Sequence, residues 1–486
     1  MHKKSSILAF GITLALLSAS AWSADLMEVY QAAAKSDPQI LEAQARRMAA
    51  LEVKPQARGL LFPQVSATGS AARDNTRGSS TFPQAVDLDN NPATPPEIVN
   101  VNNTQTRNSD FWRYQAQATQ TVFNWSQWQT LQRADSEVAL AEANYRAAEQ
   151  DLLVRVAGRY FDVLAAEDTL DAADATLQAV TRQLEQAEKR FEVGLIAITD
   201  VQEARAAHDN ATAGVILAKR SLATAHEFLR ELTGEDYQEL VKPAENMPLD
   251  QPVPGDQATW VTKAETQNLD VIAARLGVDI AKTNVKIAES GHMPTVELYA
   301  NYGQYSSDAT QTNKVTGGTP VTGPADANQT QETYGVQVTV PIFSGGVTRS
   351  QVREQVYLHR ASREKLEGAL RGANRETRDA WFGVVAEKAR VKALKQAVAS
   401  NQTALDATEA GFEVGTRTTV DVLDARRRLF EAQRDYARSR YDYLVNVVRL
   451  KSAAGVLAPG DLSSINDFLT TLAPLQLPMA EQIPTP

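Results

Sequence analysis

Stretches with apolar residues at every second position alternate along this chain with long stretches of helical periodicity. The period-two pattern is clear in 114–119, 296–303 and 334–340, and it predicts strands with one apolar and one polar face. A strand of an outer-membrane barrel has this pattern, with lipid on one side and water on the other. A strand of a soluble β-sandwich has it too. The strand pattern alone therefore leaves both alternatives open.

Two segments predict helices of unusual length. From about Ser126 to Glu192, and again from about Thr348 to Glu413, there is no proline and apolar residues recur at helical spacing. About 65 residues at 1.5 Å each make a rod of roughly 100 Å. A rod of that length is expected to pair with neighbouring helices as a coiled coil, because a compact globule of this size has no room for it.

The chain is an internal duplication. The segment RFEVGLIAITDVQEARAAHDNA (190–211) returns 221 residues later as GFEVGTRTTVDVLDARRRLFEA (411–432). Three further segment pairs follow in the same order, which chance does not explain. Each copy is predicted to contain a first helix (about 25–58 and 257–290), a strand, a polar loop, a second strand, the long helix, a turn and a last helix.

These signals predict five parts. They are a signal peptide (1–24), a first structural repeat (25–243), a linker (244–256), a second structural repeat (257–455) and a C-terminal tail (456–486). The loops between the paired strands, 76–109 and 306–332, are rich in Asn, Thr, Pro and Gly and are predicted to be water-facing. The tail is predicted to be a surface or disordered segment.

The first residues have the pattern of a secretory signal. Lys3 and Lys4 precede a short apolar run, and cleavage is predicted after Ala21 or after Ala24. The run is too short for a membrane-spanning helix, which needs about 20 apolar residues, and no later segment is longer. We therefore expect an exported protein without a helical span.

Composition excludes several classes of function. The net charge is −10, and residues 1–24 contain two lysines and no acid, so the mature chain carries about −12. That balance argues against a nucleic-acid partner. The chain has no cysteine, and its five histidines are scattered without a metal or nucleophile motif. Neither an enzyme nor a cofactor is expected.

Four candidate strands are too few to cross a membrane alone. Single-chain barrels begin at about eight strands, and an open sheet edge is not tolerated in hydrocarbon. If these strands enter a membrane, several chains must share one barrel. Three chains would give twelve strands and a water-filled lumen, although the number three does not follow from the pattern.

The repeated turn concentrates glycine and acidic residues. Gly194 and Gly415 are predicted just past a helix end, where a left-handed conformation is wanted. Thr199 with Gln202 has the capping-box spacing that would start the next helix. Two well-capped hairpins, with acids at the positive end of a helix dipole, would explain the whole motif.

A second interpretation of the turn starts from the spacing of its acids. Asp421 and Asp424 lie three residues apart and share one helix face. Repeated around a symmetry axis, they would form two stacked acidic rings that attract cations and respond to pH or divalent ions. Asp200 and Glu203 have the same spacing, so spacing does not decide which copy faces the axis.

The residues 411–455, together with 190–205, closely resemble the TolC family of outer-membrane efflux proteins, and the resemblance covers essentially the whole mature chain. It implies an α+β membrane protein: a homotrimer with one twelve-stranded β-barrel, four strands per chain, continued by a periplasmic α-helical coiled-coil tunnel. The implied function is a passive exit duct in the outer membrane for drugs or secreted proteins. The implied partners are a periplasmic adaptor and an inner-membrane pump, of the ABC type in type I secretion or of the RND type in multidrug efflux.

The resemblance also implies roles for single residues. Asp421 and Asp424 match the family's constriction aspartates at the periplasmic tip. The positions that match links of the closed state are Arg417, Thr199, Asp200, Gln183 and Glu409. Phe412 stands where a family member has tyrosine and lacks the hydroxyl that could bond towards Asp200, so a weaker closed state is expected. Glu203 adds charge where a neutral amide is expected.

One other class of protein would share the long hairpins. A structural or adaptor coiled coil contains them but does not need alternating strands with polar outer loops. Extraction from outer membranes only by detergent favours the channel, whereas release by osmotic shock favours the coiled coil.

Overall fold

The computed structural model describes residues 24–86, 93–244, 247, 249 and 252–469. Apart from Ala24, the predicted signal peptide lies outside the described residues. The chain divides into two units. The described parts of Ala49–Ala139 and Leu276–Arg363 form the unit that contains the sheet, and those of Met1–Met48, Leu140–Arg275 and Glu364–Pro486 form the second.

The sheet is antiparallel and four strands wide. Its strands are β1 (Gln64–Val86), β2 (Glu97–Phe123), β3 (Thr295–Val315), β4 (Val321–Pro324) and β5 (Ala327–Thr339). β2 lies between β1 and β3, while β4 and β5 pair with successive stretches of β3 on its other side. The short β4 and β5 therefore share one strand position, and the predicted width of four strands is confirmed.

The strands are longer than their period-two pattern predicts. Residues 76–86 and 97–109, predicted as a polar loop, pair residue by residue, and 306–315 also belong to β3. The loop prediction is wrong in these stretches. Their side chains are mostly Asn, Thr, Ser and Gln on both faces, so the sequence shows no hydrophobic alternation there. The strands are nevertheless paired through their backbone hydrogen bonds.

One face of the sheet is apolar and exposed over its middle section. The residues that share this face are Val65, Ala67 and Ala71 of β1, Tyr114, Ala116 and Ala118 of β2, Leu298, Ala300 and Tyr302 of β3, and Tyr334, Val336 and Val338 of β5. Tyr334 is 84% exposed and Val336 61%. The opposite face carries amides and hydroxyls, such as Gln115, Gln117 and Thr333. A soluble sandwich would cover the apolar face, whereas in this chain it remains open.

Ten α-helices are present in the described residues. They are α1 (Leu26–Ser36), α2 (Pro38–Leu51), α3 (Val53–Gly59), α4 (Trp125–Glu192), α5 (Ile198–Thr233), α6 (Gln257–Gln267), α7 (Leu269–Glu289), α8 (Val347–Glu413), α9 (Thr419–Ala453) and α10 (Pro459–Asp467). With 68 and 67 residues, α4 and α8 confirm the two long helices. Across the described ranges, no helix combines the length and apolar character needed to span a membrane.

The first helix of each repeat is broken where the sequence predicts one continuous helix. The breaks fall at Asp37 and Asn268, whose backbones are extended with ψ of 120° and 128°. The Asn268 Oδ1 accepts hydrogen bonds from the N–H groups of Asp270 (3.0 Å) and Val271 (3.1 Å) and so caps the next helix. In the first copy, Pro38 has no N–H to continue the helix. The prediction of single helices over 25–58 and 257–290 is therefore wrong.

The first part of the C-terminal tail is structured, contrary to prediction. Leu462 of α10 is fully buried, and Leu469 is nearly so. Asn466 accepts from the N–H of Leu26 (3.0 Å) and donates to the carboxylate of Asp25 (3.0 Å). These bonds hold α10 against the start of α1. The remaining tail, 470–486, lies outside the described residues.

A cluster of polar contacts around two buried tyrosines holds the last residues of the first repeat, which follow α5. The Tyr160 hydroxyl donates to the carbonyl oxygen of Val241 (2.7 Å), and burial raises the pKa of this tyrosine. The Asp168 carboxylate accepts from Lys242 Nζ (2.8 Å) and from the Tyr441 hydroxyl (2.7 Å). Asp168 of α4 therefore binds both the end of the first repeat and α9, so both repeats meet at one carboxylate.

Gly455, just after α9, lies very close to the backbone at the end of α6, and this close approach can be tested. Its φ is 73°, and a Cβ added there would lie 2.1 Å from the carbonyl oxygen of Gln267. Gly455→Ala should lower the thermal unfolding midpoint in detergent micelles far more than Gly234→Ala. Gly234 has a φ of 71° but an added Cβ would make only ordinary contacts, so its substitution measures the left-handed backbone cost of roughly 1–2 kcal/mol. Equal midpoints for the two variants would contradict the close approach at Gly455.

Candidate functional site

The long helices α4 and α8 end in the same turn. Gly194 and Gly415 have φ of 74° and 80°, the left-handed conformation that this turn requires. In the first copy, the N–H groups of Gly194 and Leu195 donate to the carbonyl oxygens of Phe191 (2.9 Å) and Arg190 (2.9 Å). The same two bonds recur one repeat later. The hairpin tips therefore share one backbone design.

The cap of the next helix differs between the copies. In the second copy, the Thr418 hydroxyl and N–H both donate to Asp421 Oδ2 at 2.9 Å. The Asp421 N–H in turn lies 3.3 Å from the Thr418 hydroxyl. The counterpart of Thr418 is Ala197, whose side chain cannot accept a hydrogen bond. In the first copy only the Ala197 N–H reaches an acid, at 3.4 Å from Asp200 Oδ2.

The predicted capping box of Thr199 with Gln202 is wrong. α5 begins at Ile198, with Ala197 as its cap residue, so Thr199 already lies inside the first turn. Asp200 reaches back to the cap residue's N–H and takes the place of the predicted glutamine. The prediction failed because it placed the helix start two residues too late.

An ion pair that was not predicted bridges each hairpin. Arg205 Nη2 lies 3.0 Å from Glu188 Oε1 in the first copy, and Arg426 pairs with Glu409 at the corresponding positions of the second. The signal was present in the sequence, since both members of the pair recur 221 residues later. Glu409 therefore already has a partner within its own hairpin. It makes no hydrogen bond with Gln183 in the described part of the chain, where the Gln183 Oε1 is buried without a partner.

A small apolar cluster fills each tip. Its shared members are Leu184, Val201 and Ala204 in the first copy and Leu405, Val422 and Ala425 in the second. One difference between the copies adjoins the turn. Ile196 packs against the first cluster, whereas its counterpart Arg417 is exposed. Among the described residues the Arg417 guanidinium has neither a hydrogen bond nor an ion pair, so the second tip presents an unpaired cation.

Phe412 connects the two hairpins of the chain. Its ring packs against the second cluster, and the Arg190 guanidinium lies 5.0 Å from the ring centroid. A cation–π contact at an exposed site contributes roughly 0.5–1 kcal/mol. The aromatic ring therefore has a role in this chain that needs no hydroxyl, and sequence reasoning did not predict it.

The two acids of the second tip both have partners within the chain. Hydrogen bonds from the backbone and side chain of Thr418 lower the pKa of Asp421. Asp424 accepts from Arg427 and Arg428, each at 2.7 Å, and these bonds lower its pKa. The arginines follow Asp424 by three and four residues, a spacing that brings side chains together on a helix. Of the two predicted acidic rings, the one at Asp424 would therefore carry bound arginines as well as carboxylates.

The family profile described as "Outer membrane efflux protein" matches residues 29–235 and 260–456. These two matches correspond to the predicted repeats and confirm the duplication. Outer membrane protein TolC of Vibrio cholerae is 36% identical over 454 residues, which cover 93% of this chain and 95% of that protein. The protein of the same name from Escherichia coli is 36% identical over 469 residues, covering 96% and 90%.

More distant proteins also resemble the chain. Alkaline protease secretion protein AprF of Pseudomonas aeruginosa is 25% identical, covering 94% of this chain and 89% of that protein. A solved membrane protein from Pseudomonas aeruginosa has a TM-score of 0.71 at 19% identity, covering 90% and 91%. The CmeC outer membrane channel of Campylobacter jejuni has a TM-score of 0.68 at 16% identity, covering 97% of both chains. The two structural matches concern the fold alone.

Proposed function

The chain belongs to the outer membrane efflux protein family, as the resemblance in its sequence indicates, and from this premise we propose that three copies form one exit duct for drugs or secreted proteins. As a member of this family it is an outer-membrane channel that extends into the periplasm, and it is not an enzyme. The proposal adds the number of chains, the cargo, the partners and the way the duct opens.

The open edges of the sheet are the observation that carries the proposal. In the described residues, β1 and β5 each pair on one side only, and β1 has no partner beyond β2. In hydrocarbon each unpaired backbone group costs several kcal/mol. Three copies would pair β1 of one chain with β5 of the next, and twelve strands would leave a water-filled lumen. The polar face of each sheet would then line the lumen, and the apolar face would meet lipid.

The long hairpins provide the path towards the inner membrane. α4 and α8 each measure about 100 Å at 1.5 Å per residue. Their tips would meet a periplasmic adaptor and an inner-membrane pump, of the ABC or the RND type. The pump supplies the energy, and the duct conducts passively. AprF is named for protease secretion and the family for efflux, so both kinds of cargo belong to the proposal.

Opening would occur by movement of the second hairpin at the periplasmic tip. Arg417 is exposed and its guanidinium makes no hydrogen bond or ion pair in the described chain, which makes that group available to a neighbouring copy. Thr199 and Asp200 of that neighbour would receive it in the closed state. The buried, unpartnered Oε1 of Gln183 would form a further link near Glu409, while Asp421 and Asp424 would line the constriction.

Reconstitution tests the proposed function directly. The detergent-solubilised protein should cross-link to a trimer and should produce conducting channels in planar lipid bilayers, because a single sheet cannot close a pore. A stable monomer that conducts nothing would overturn the proposal. Conductance without trimers would refute only the number of chains.

Arg417→Ser should raise single-channel conductance in planar bilayers, because it removes a cation that holds the tip closed. Arg434→Ser is the matched control: it removes the same charge from the same hairpin, but Arg434 is already paired with Asp435 at 2.8 Å. Unchanged conductance for Arg417→Ser would mean that the closing link lies elsewhere.

Replacing Asp421 and Asp424 together by asparagine should reduce cation preference and block by hexamminecobalt(III). Asparagine keeps an oxygen that can cap the helix, so the change is mainly one of charge. Because the pKa values of both acids are lowered, the carboxylates stay charged as pH falls, and block of the unmodified channel should persist down to about pH 4.

A second variant tests which copy faces the axis: it replaces Asp200 by asparagine and Glu203 by glutamine. It should leave cation selectivity and block by hexamminecobalt(III) unchanged, whereas loss of the Asp200 partner of Arg417 should raise conductance as Arg417→Ser does. If it abolishes the block while the change at Asp421 and Asp424 does not, the first copy lines the constriction and the assignment is reversed.

A further inference from the structure

The polar face of the sheet carries an arginine, Arg113, that has no part in the proposed closing links at the hairpin tips. We propose that Arg113 of β2 is the centre of a binding site for multivalent oxyanions, solutes with phosphate or carboxylate groups, at the outer end of the lumen. The site rests on the proposed function, because only a closed barrel turns this face into a lumen.

Two aromatic rings hold the Arg113 guanidinium. Tyr305 of β3 lies directly opposite Arg113 in the strand register, and the guanidinium is 5.6 Å from the centroid of its ring. Phe111 supports that ring from the next position on the same face, with 5.7 Å between the two centroids. A guanidinium placed over an aromatic face is pre-organised and keeps its N–H edges free to donate.

The apolar face locates the site along the barrel. Tyr334, Tyr302 and Tyr114 lie on a diagonal across three strands. Tyr302 is two residues farther from the helix end than the residue opposite Tyr334, and Tyr114 is two residues farther than the residue opposite Tyr302. Aromatic residues of this kind mark a membrane interface. Just beyond them, Arg73 and Asp110 form a bidentate ion pair with distances of 2.6 and 2.7 Å, which belongs in water.

This interface is the outer one. β2 ends at Phe123 and leads directly into α4, and the tyrosine diagonal lies farther along the strands from the helices than the apolar residues Ala118, Leu298 and Val338. Arg113 precedes Tyr114 in β2 and points to the other face of the sheet. It therefore lies at the level of the outer interface, on the lumenal side.

No carboxylate neutralises Arg113 on that face. Between Asp74 at the outer end and Glu297 at the helix end, the polar face of the strands carries amides, hydroxyls, glycine and alanine besides this aromatic cluster and Tyr299. Arg113 has no ion pair with any described residue. A groove of about 580 Å³ lies beside it, and the amide-bearing residues that line it on the face of Arg113 are Gln115, Asn301, Gln329 and Gln331.

These features together match the chemistry of an oxyanion. Guanidinium groups bind phosphate and carboxylate oxygens with two parallel N–H donors, and rings of arginine select anions in pores. The neighbouring amide N–H groups add donors without adding negative charge. Three copies would place three such sites around the lumen. The outer end would thus favour the charge opposite to that favoured by the acidic periplasmic tip.

Block of single channels by inorganic tripolyphosphate tests the site. The anion, added to the side of the bilayer that faces the outer end of the sheet, should block the unmodified channel. Arg113→Gln should weaken this block at least tenfold, and Arg113→Lys should restore part of it. Arg77→Gln is the control, since Arg77 lies on the other face of β1 and outside the groove, and it should leave the block unchanged.

The possible failures are distinguishable. Channels that conduct but are not blocked by tripolyphosphate, or that are blocked equally after Arg113→Gln, would overturn the anion site and leave the duct intact. Absence of any conductance from the unmodified protein would instead contradict the proposed function. Because every variant is measured by its own conductance, a variant that does not fold cannot be mistaken for one that has lost the site.

Discussion

The rest of this structure depends on how the backbone groups along the two open edges of the sheet are paired. A sheet that is four strands wide and carries an exposed apolar face is stable only where something else covers the face and pairs the edges. Lipid can cover the face, but only another strand can pair the edges. The chain therefore cannot complete its own structure, and the sister copies that complete it also create the lumen.

Duplication gave the chain two hairpins with one design and then separated their roles. The turn, the cross-hairpin ion pair and the apolar cluster recur in both copies. Three of the differences between the copies lie at the turn: Ala197 against Thr418, Ile196 against Arg417, and Arg190 against Gly411. In the second copy, Thr418 is polar and Arg417 is charged, whereas their counterparts in the first copy are apolar. A shared frame thus holds two tips with different surface chemistry, and in the proposed closed state Arg417 of the second tip binds Thr199 and Asp200 of a neighbour's first tip.

Sequence periodicity predicted the structure wherever one environment lies on each side of an element. The long helices and the membrane section of the strands, such as Val336 to Val340, have an apolar side and a polar side, so their patterns are clear. Residues 76–86 and 97–109 have polar groups on both faces, and their strands follow from backbone pairing that leaves no period in the sequence. Asp37 and Asn268 broke predicted helices because a single capping side chain outweighs the periodicity around it.

Contacts at the tip were harder to predict, because they depend on which hairpin faces which. The Glu409–Arg426 pair repeats Glu188–Arg205, so it could be inferred from the duplication. The contact of Arg190 with Phe412 joins different copies and has no such repeat. Neither spacing nor composition indicates such a contact. It becomes visible only when the two hairpins are placed side by side.

The electrostatic field at the constriction depends on partners more than on the number of acids. Asp421 is hydrogen-bonded by a hydroxyl and an N–H of Thr418, which carry no net charge, and Arg417 acts on it only through its charge, without an ion pair. Asp424 is held by two guanidinium groups at 2.7 Å, which offset its charge at any distance larger than their separation. Around a threefold axis the ring at Asp421 would therefore dominate the attraction of cations, and the ring at Asp424 would serve mainly to order its arginines. The two acids share a helix face but not a role.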